Sequence, residues 1–474
     1  MKPLPFQKED ILQVERWGGR AILAHEMGLG KTLMALGYLR RNLEALPALV
    51  VCPAIVKYHW QQEAMKAVGL DSVVLEGRKP SWFPSKPLTI INYDILPWWA
   101  NRLRKIGFKT LVLDECHRVK SPSAKRTKAV TKLGRQMPHV LALSGTPLMN
   151  KPMELWTVLN LLHPKQFKSR MKFAHKFCGA EWTPWGWKFD GASHTEKLHT
   201  ILTEHCMVRR RKMDVLKDLP PKLRQVIPLP LSNRAEYNHA CDDFLGWLEE
   251  QSPDKANRAS KAIQMARIGY LLRLAAKLKL RSAVDWINEW LEQNPGDKLV
   301  VFANHRKCLS ALERKCRASS VLIDGSVSGR DRNKMVGAFQ NSSDPRLFLG
   351  NMHAAGEGIT LTAAHHVVFV ELDWVPAVLR QAEDRCHRIG TTDTVWCTYL
   401  VAHDTVEESL CRIIQKKQRV MSEVLDGGPV QGDLNVFDEL VSSLNGRCCH
   451  ENQIRKIQSQ DSDPGTDRAV QRNP

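Results

Sequence analysis

The apolar positions of this chain fall into two series of short, unbroken runs. The first series occupies residues 21–23, 48–52, 88–91, 111–113 and 140–143; the second occupies 298–302, 320–323, 347–350, 367–372 and 395–401. Runs that stay apolar, with no polar residue at alternate positions, fit strands of parallel sheets covered on both faces. Stretches with helical spacing stand between them, such as TLMALGYLRRNLEAL at 32–46. The pattern predicts an α/β fold with two lobes, each a parallel sheet flanked by helices.

The texture changes between the two series. Residues 150–290 read as mostly helical and basic, and residues 255–281 carry eight Lys or Arg with no acid. Apolar residues at helical spacing in that stretch predict one packed and one cationic face. The segment EWTPWGWKFDG at 181–191 sets three Trp among Pro and Gly, which reads as an ordered loop. The expected organisation is an N-terminal lobe over 1–215 with a helical insertion at about 150–210, and then a helical, basic connecting region over 216–290. A C-terminal lobe follows over 291–444, and a polar, aperiodic and hence disordered tail over 445–474.

Charge narrows the class of partner. A formal net charge of +19 on 474 residues favours a polyanion, with nucleic acid ahead of an acidic membrane surface. Apolar runs stay well short of the ~20 residues that span a bilayer, and the first residues lack the apolar core of a secretory signal. Twelve cysteines without paired C-x-x-C spacing suggest reduced thiols in a cytoplasmic setting, not a disulfide framework or a zinc ribbon.

Two short motifs carry candidate chemistry. In AILAHEMGLGKTLMALGYL a strand, a glycine-bearing loop and a helix follow one another. Gly28 and Gly30 let backbone N–H groups wrap a phosphate, Lys31 can reach the β/γ-phosphates, and Thr32 can ligate Mg²⁺. The strict G-x-x-x-x-G-K-[ST] pattern is not met, because His25 stands at the first glycine position. In LVLDECHRVK, Asp114 ends a strand of the same lobe and could hold Mg²⁺, while Glu115 beside it could orient and deprotonate a water. A solvated strand end would account for either carboxylate alone, but not for its pairing with an upstream phosphate loop.

The ordered motifs HEMGLGKT, DECH, LALSGTPLMNKPMELW, VRRRKMDVLKDLPPK, AAGEGITLTAAHHVVFVELDW and RQAEDRCHRIG together resemble those of the Swi/Snf-type helicase-like ATPases of helicase superfamily two. AAKLKLRSAVDWINEWL leading into KLVVFANHRKCLSAL is similar to the annealing-helicase branch. The resemblance implies two RecA-like lobes that bind ATP and Mg²⁺ between them and move along double-stranded DNA, including forked or branched DNA. It also allows a protein partner such as a nuclease or replication factor, and leaves the oligomeric state open.

Carried over to this chain, the resemblance implies that Gln7 reads adenine and that Gly28, Leu29, Gly30, Lys31 and Thr32 form the phosphate loop. Asp114 and Glu115 keep their metal and water roles, His117, Ser144 and Thr146 couple the lobes, and Gly356 and Glu357 sense nucleotide and DNA. Arg385 and Arg388 are the arginine fingers, with Gln381 ahead of them. Lys57, Trp60 and Trp374 are the implied DNA contacts. The family usually has Asp where His25 stands and Gln where Thr391 stands, and neither departure removes a group the chemistry requires. A strand-separating helicase and a binding scaffold without turnover are the rival readings.

Overall fold

A computed structural model describes residues 3–80, 85–184, 186–249, 256–327, 329–355, 359–388 and 390–428. Its strands in chain order begin with β1 (Arg20–Leu23), β2 (Ala48–Cys52), β3 (Ser72–Val74), β4 (Leu88–Asn92), β5 (Thr110–Asp114) and β6 (His139–Leu143). A small hairpin of β7 (Glu181–Thr183) and β8 (Gly186–Lys188) follows, and then β9 (Met207–Val208). Apart from the hairpin these strands make one parallel sheet in the order β3-β4-β2-β5-β6-β1-β9. The second sheet holds β10 (Lys222–Leu229), β11 (Leu299–Ala303), β12 (Ser320–Ile323), β13 (Leu347–Asn351), β14 (His366–Phe369) and β15 (Val395–Ala402). It too is parallel, in the order β10-β15-β14-β11-β13-β12. The protein therefore has the two RecA-like lobes expected.

The unbroken apolar runs have the predicted cause. Every residue of β2, β4 and β11 is buried, because alternate side chains enter two different cores. Leu49, Val51, Leu111 and Leu113 pack on one face of the first sheet, and Val50, Val112 and Leu141 on the other. Each such side chain removed from water contributes about 1.5–3 kcal/mol.

The core on the first of these faces is continuous with Val300, Phe302, Phe348 and Phe369 of the second lobe. The lobes are also joined by the helix Val406–Asp426, which packs on the helix Thr195–His205 of the first. There Val424 O lies 3.0 Å from His199 Nδ1, and Asp426 pairs with Arg209 at 2.5 Å.

Two expectations change. The Trp-rich stretch is not a plain loop, since Glu181–Thr183 and Gly186–Lys188 pair antiparallel. Nor is 216–290 purely helical, because β10 adds eight residues to the edge of the second sheet. Its apolar positions are interrupted by Lys222, Arg224 and Gln225, whose partners come from distant parts of the chain, so local patterning concealed the strand.

The remainder of that region includes the helix Ala256–Gln293, whose later part (Leu274, Leu278, Ile287, Leu291) is buried. The early part of the cationic stretch and the tail 445–474 lie outside the described residues or their described side chains. Among the described residues, no helix is long and apolar enough to cross a membrane.

Candidate active site

In parallel α/β sheets the carboxyl ends of the strands are where ligands gather. At the end of β1, residues 24–30 turn into the helix Lys31–Arg41. Gly28 (φ +86°) and Gly30 (φ +78°) both lie in the left-handed region that favours glycine. At Gly30 a Cβ would also sit 2.5 Å from the amide nitrogen of Gln7. That amide is fixed on the loop, with Gln7 Nε2 donating to Leu29 O at 3.0 Å and Oε1 accepting from Leu4 N at 2.8 Å.

Lys31 Nζ donates to the carbonyls of His25 (2.8 Å) and Glu26 (3.3 Å). Burial pushes its pKa down to about 8, against the pull of Glu115 and Asp114. Thr32 stands in the first turn of the helix, where free N–H groups and the helix dipole favour an anion. With the Asp114 carboxylate, its hydroxyl offers the hard oxygen donors that suit Mg²⁺, so the residues present fit that ion.

The second element is the end of β5. Glu115 adopts φ +50°, ψ +58°, a strained setting for a residue with a side chain, of the kind that clusters at functional sites. Asp114 Oδ2 accepts from Trp60 Nε1 at 2.8 Å, and its backbone carbonyl accepts from Tyr93 OH at 2.7 Å. Burial and then the neighbouring Glu115 charge push Asp114 above the usual carboxylate range. Burial acts on Glu115 in the same sense but is outweighed by His117, Lys31 and Ser144, which hold it ionised.

Ser144 Oγ donates to Glu115 Oε2 at 3.1 Å and accepts from Thr146 N at 3.1 Å. His117 Nδ1 lies 3.2 Å from Ser144 Oγ and 3.3 Å from Glu115 Oε2. Because the Ser144 proton is used on Glu115, that nitrogen is the donor of the pair.

The second lobe completes the cleft. Gln381, at the end of the helix Pro376–Glu383, donates from Nε2 to Thr146 Oγ1 at 3.2 Å. A hydrogen-bonded path thus runs from Glu115 through Ser144 and Thr146 into the other lobe. Arg385 is almost wholly enclosed: it donates to the carbonyls of Gln381 (3.1 Å) and Ile359 (3.2 Å) and reaches Met27 Sδ in the glycine loop at 3.9 Å. Arg388 donates to Asp384 O (2.9 Å) and Thr360 Oγ1 (2.9 Å). A methyl added at Gly28 would meet Arg388 Cγ at 3.7 Å and Lys212 Cε at 3.9 Å. Both arginines thus stand beside the loop of the first lobe, while most of their hydrogen bonds stay within the second.

Several groups that support this geometry carried no role in the sequence reading. Lys212 pairs with Asp384 at 3.0 Å and donates to His387 O at 2.5 Å, while Lys222 pairs with the same Asp384 at 3.1 Å. Glu383 takes two bonds of 2.7 Å from Arg224 and one ion pair of 2.8 Å from Lys222. The signal was present in the adjacent acids of QAEDRCHRIG and the cations of VRRRKMDVLKDLPPK, but their partners are far apart in the chain.

His25 is fully buried behind the loop. Its Nε2 lies 2.8 Å from Asp10 Oδ2, and Arg210 binds Asp10 at 2.9 Å and 3.0 Å. The departure from the family residue thus falls in a supporting cluster.

The expected DNA contacts need correction. Trp60 has no exposed surface and is spent on Asp114, while Lys57 is buried with its ammonium on Leu75 O at 3.1 Å. Both lie on the inward face of the helix Lys57–Val68, together with Ala64, at the i, i+3, i+7 spacing of a packed stripe. Tyr58 and His59 face outward in their place. Trp374 is half-buried, and its carbonyl accepts from Lys417 Nζ at 2.8 Å, which also reaches Asn150 Oδ1 at 3.1 Å. Gly356 and Glu357 lie outside the described residues.

Two family models together span most of the chain. Residues 12–280 match the SNF2-related domain and residues 282–390 the helicase conserved C-terminal domain. The chain is 34% identical over 446 residues to the DNA annealing helicase and endonuclease ZRANB3 of Bos taurus, covering 90% of this chain and 41% of that protein. It is 32% identical over 430 residues to a Caenorhabditis elegans protein, the "SWI/SNF-related matrix-associated actin-dependent regulator of chromatin subfamily A-like protein 1 homolog". That alignment covers 89% of this chain and 61% of the relative.

The solved SWI2/SNF2 ATPase core of Sulfolobus solfataricus in complex with dsDNA aligns with a TM-score of 0.43 and 24% identity, over 90% of this chain and 94% of that one. The chain spans less than two thirds of the length of the two curated relatives. The first domain match alone takes in more than half of the 474 residues, and the chain belongs to the SNF2-related family of helicase-like ATPases.

Proposed function

We propose that the protein is an ATP- and Mg²⁺-dependent motor that moves along double-stranded DNA by cycles of lobe closure. The observation that carries this reading is the junction itself: Gln381 is hydrogen-bonded to Thr146, Arg385 reaches Met27, and the Arg388 stem borders the space beside Gly28. Gln7, whose amide lies on the loop, would read a base there, and Lys31 with the N–H groups of residues 28–32 would bind phosphate oxygens. Mg²⁺, when held by Thr32 and Asp114, would neutralise charge on the β- and γ-phosphate oxygens.

Glu115, kept ionised by its partners, orients the attacking water and takes its proton. The two guanidinium groups stabilise the charge that develops on the transferred phosphoryl oxygens, so hydrolysis requires both lobes. The path Glu115–Ser144–Thr146–Gln381, with His117 beside it, is the route by which hydrolysis and lobe position influence one another. Gly356 and Glu357, which carry the family's nucleotide- and DNA-sensing motif, and Trp374, near the junction, extend this reading toward the DNA.

The net charge of +19 supports a phosphate-dominated, salt-sensitive grip with little sequence preference. Relatives named as annealing helicases support forked or branched DNA as the working substrate. The test is steady-state ATP hydrolysis with duplex, forked and single-stranded DNA and with RNA at one salt concentration. Duplex DNA is expected to raise turnover well above the DNA-free rate. Stimulation by single-stranded RNA without stimulation by duplex DNA overturns the reading. Triplex displacement measured beside displacement of a tailed duplex separates movement along DNA from strand separation.

A further inference from the structure

The Trp-rich hairpin takes no part in the cleft chemistry. Trp182 and Trp187 stand directly opposite one another in β7 and β8, their rings meeting edge-on at 5.3 Å and 73°. The aromatic row continues from Trp187 to His175 at 4.3 Å and to Phe189 at 6.3 Å with planes 13° apart. Yet Trp182 is 66% exposed and Trp187 46%. Cross-strand ring contacts steady a two-stranded hairpin that is marginal alone, but they leave the outer faces of both indoles in water.

The hairpin walls a cleft of about 770 Å³. Trp187 and Lys188 line it together with Lys120, Lys151 and Arg170, and Trp182 stands beside Trp187 outside the lining. Lys120 follows Glu115 by five residues and Lys151 follows Thr146 by five, so the cleft begins where the active-site strands end. Asn150, beside Lys151, is bonded to Lys417 of the second lobe, which puts the opening at the lobe junction. Acids of the same wall offset part of this charge: Lys120 pairs with Glu154 at 2.9 Å, Lys188 with Glu181 at 3.8 Å, and Lys151 with Asp190, so the four cations lining the cleft meet three carboxylates that a strand's phosphates would have to displace. Beyond them, residues 155–180 carry five Lys or Arg and no acid.

Exposed indoles beside a cationic track are the combination that binds single strands, whose bases are free to stack while their phosphates follow the charge. A closed duplex offers such a surface only its phosphates.

We propose that Trp182 and Trp187 form a base-stacking platform for a single DNA strand that leaves the duplex at the lobe junction, its phosphates running along Lys120, Lys151 and Arg170. The inference rests on the motor reading for the identity of the polymer and narrows its substrate to branched DNA. It is tested apart from turnover, by fluorescence anisotropy without nucleotide, using the full chain, labelled oligo(dT) and a blunt duplex of equal length at one salt concentration.

The double variant Trp182→Ala/Trp187→Ala, checked for an unchanged melting temperature, is expected to lose roughly tenfold or more in affinity for oligo(dT). Its affinity for the duplex should be nearly unchanged. Trp187→Phe, which keeps a ring, should retain most of the oligo(dT) affinity. Equal losses on both DNAs would make the hairpin a duplex grip, and no loss on either would remove it from DNA binding; both results overturn the platform. If duplex DNA fails to stimulate hydrolysis while the oligo(dT) loss appears, the motor reading falls and the platform stands.

Discussion

Each lobe brings one pair of neighbouring carboxylates to the region of the cleft, Asp114–Glu115 from the first and Glu383–Asp384 from the second. In sequence the two pairs look alike; in the fold they differ in the supply of cations. Glu383 is enclosed by Arg224, Lys222 and the Tyr399 hydroxyl, and Asp384 by Lys212 and Lys222. These cations hold both acids below the usual carboxylate range despite burial, Glu383 down to about 2.

Asp114 has an indole N–H and the more distant Lys31, so burial and the charge next door push it up. The first pair, with fewer cations around it, is the one left for the proposed metal and water roles. The second is consumed in holding the helix that carries the fingers. Adjacent acids thus serve as reactants or as struts according to what faces them.

The largest effect that can test this contrast comes from the group the second pair supports. Arg388→Ala should lower DNA-stimulated turnover by about 10³–10⁵, and Arg388→Lys should restore little, since a point charge replaces a planar fork. Steady-state hydrolysis beside nucleotide binding decides it, and near-normal turnover would remove the fingers from the mechanism. Glu115→Gln should cost about 10²–10⁴ in kcat with nucleotide binding retained.

By contrast Glu383→Gln should act on folding, because it leaves Arg224 and Lys222 without their charge partner. A loss of about 3–5 kcal/mol is expected from urea titration. Unaltered stability together with a catalytic loss as deep as that of Glu115→Gln would erase the distinction between the pairs.

The same group sets an acid limit. Its pKa is lower in the folded than in the unfolded chain, so its contribution to stability is full above about 4.5 and is lost as pH falls toward about 2. The urea midpoint of the wild type should drop across that window, and that of Glu383→Gln should drop less. The smallest effect sharpens the first pair. Trp60→Phe removes the neutral donor on Asp114 and should lower kcat by roughly tenfold, the scale of one hydrogen bond to a charged group. A loss of DNA affinity with kcat unchanged would return Trp60 to the DNA track.

Much of this was legible in the sequence. Unbroken apolar runs marked most of the strands of both sheets, since parallel strands covered on two faces have no polar side to show. The loop before Lys31 and the acids after Leu113 could be read together because each chemistry needs particular residue types at close spacing. Trp60 and Lys57 were misread because a helix motif names residue types without telling which face packs. β10 was missed because its charged residues, Lys222 and Arg224, are satisfied by Glu383 and Asp384 more than 150 positions away.

The hairpin at 181–188 hid behind its Pro and Gly, which mark a turn but do not reveal that Trp182 and Trp187 pair across it. By itself the sequence determined the fold class and the family, and it singled out the glycine loop and the acidic strand end as candidate chemistry, because hydrophobic periodicity and local motifs are properties of neighbouring residues. Only the tertiary structure decided which acids are struts, which tryptophans face water and how the fingers meet the loop. Those outcomes depend on burial and on charges brought together from distant parts of the chain.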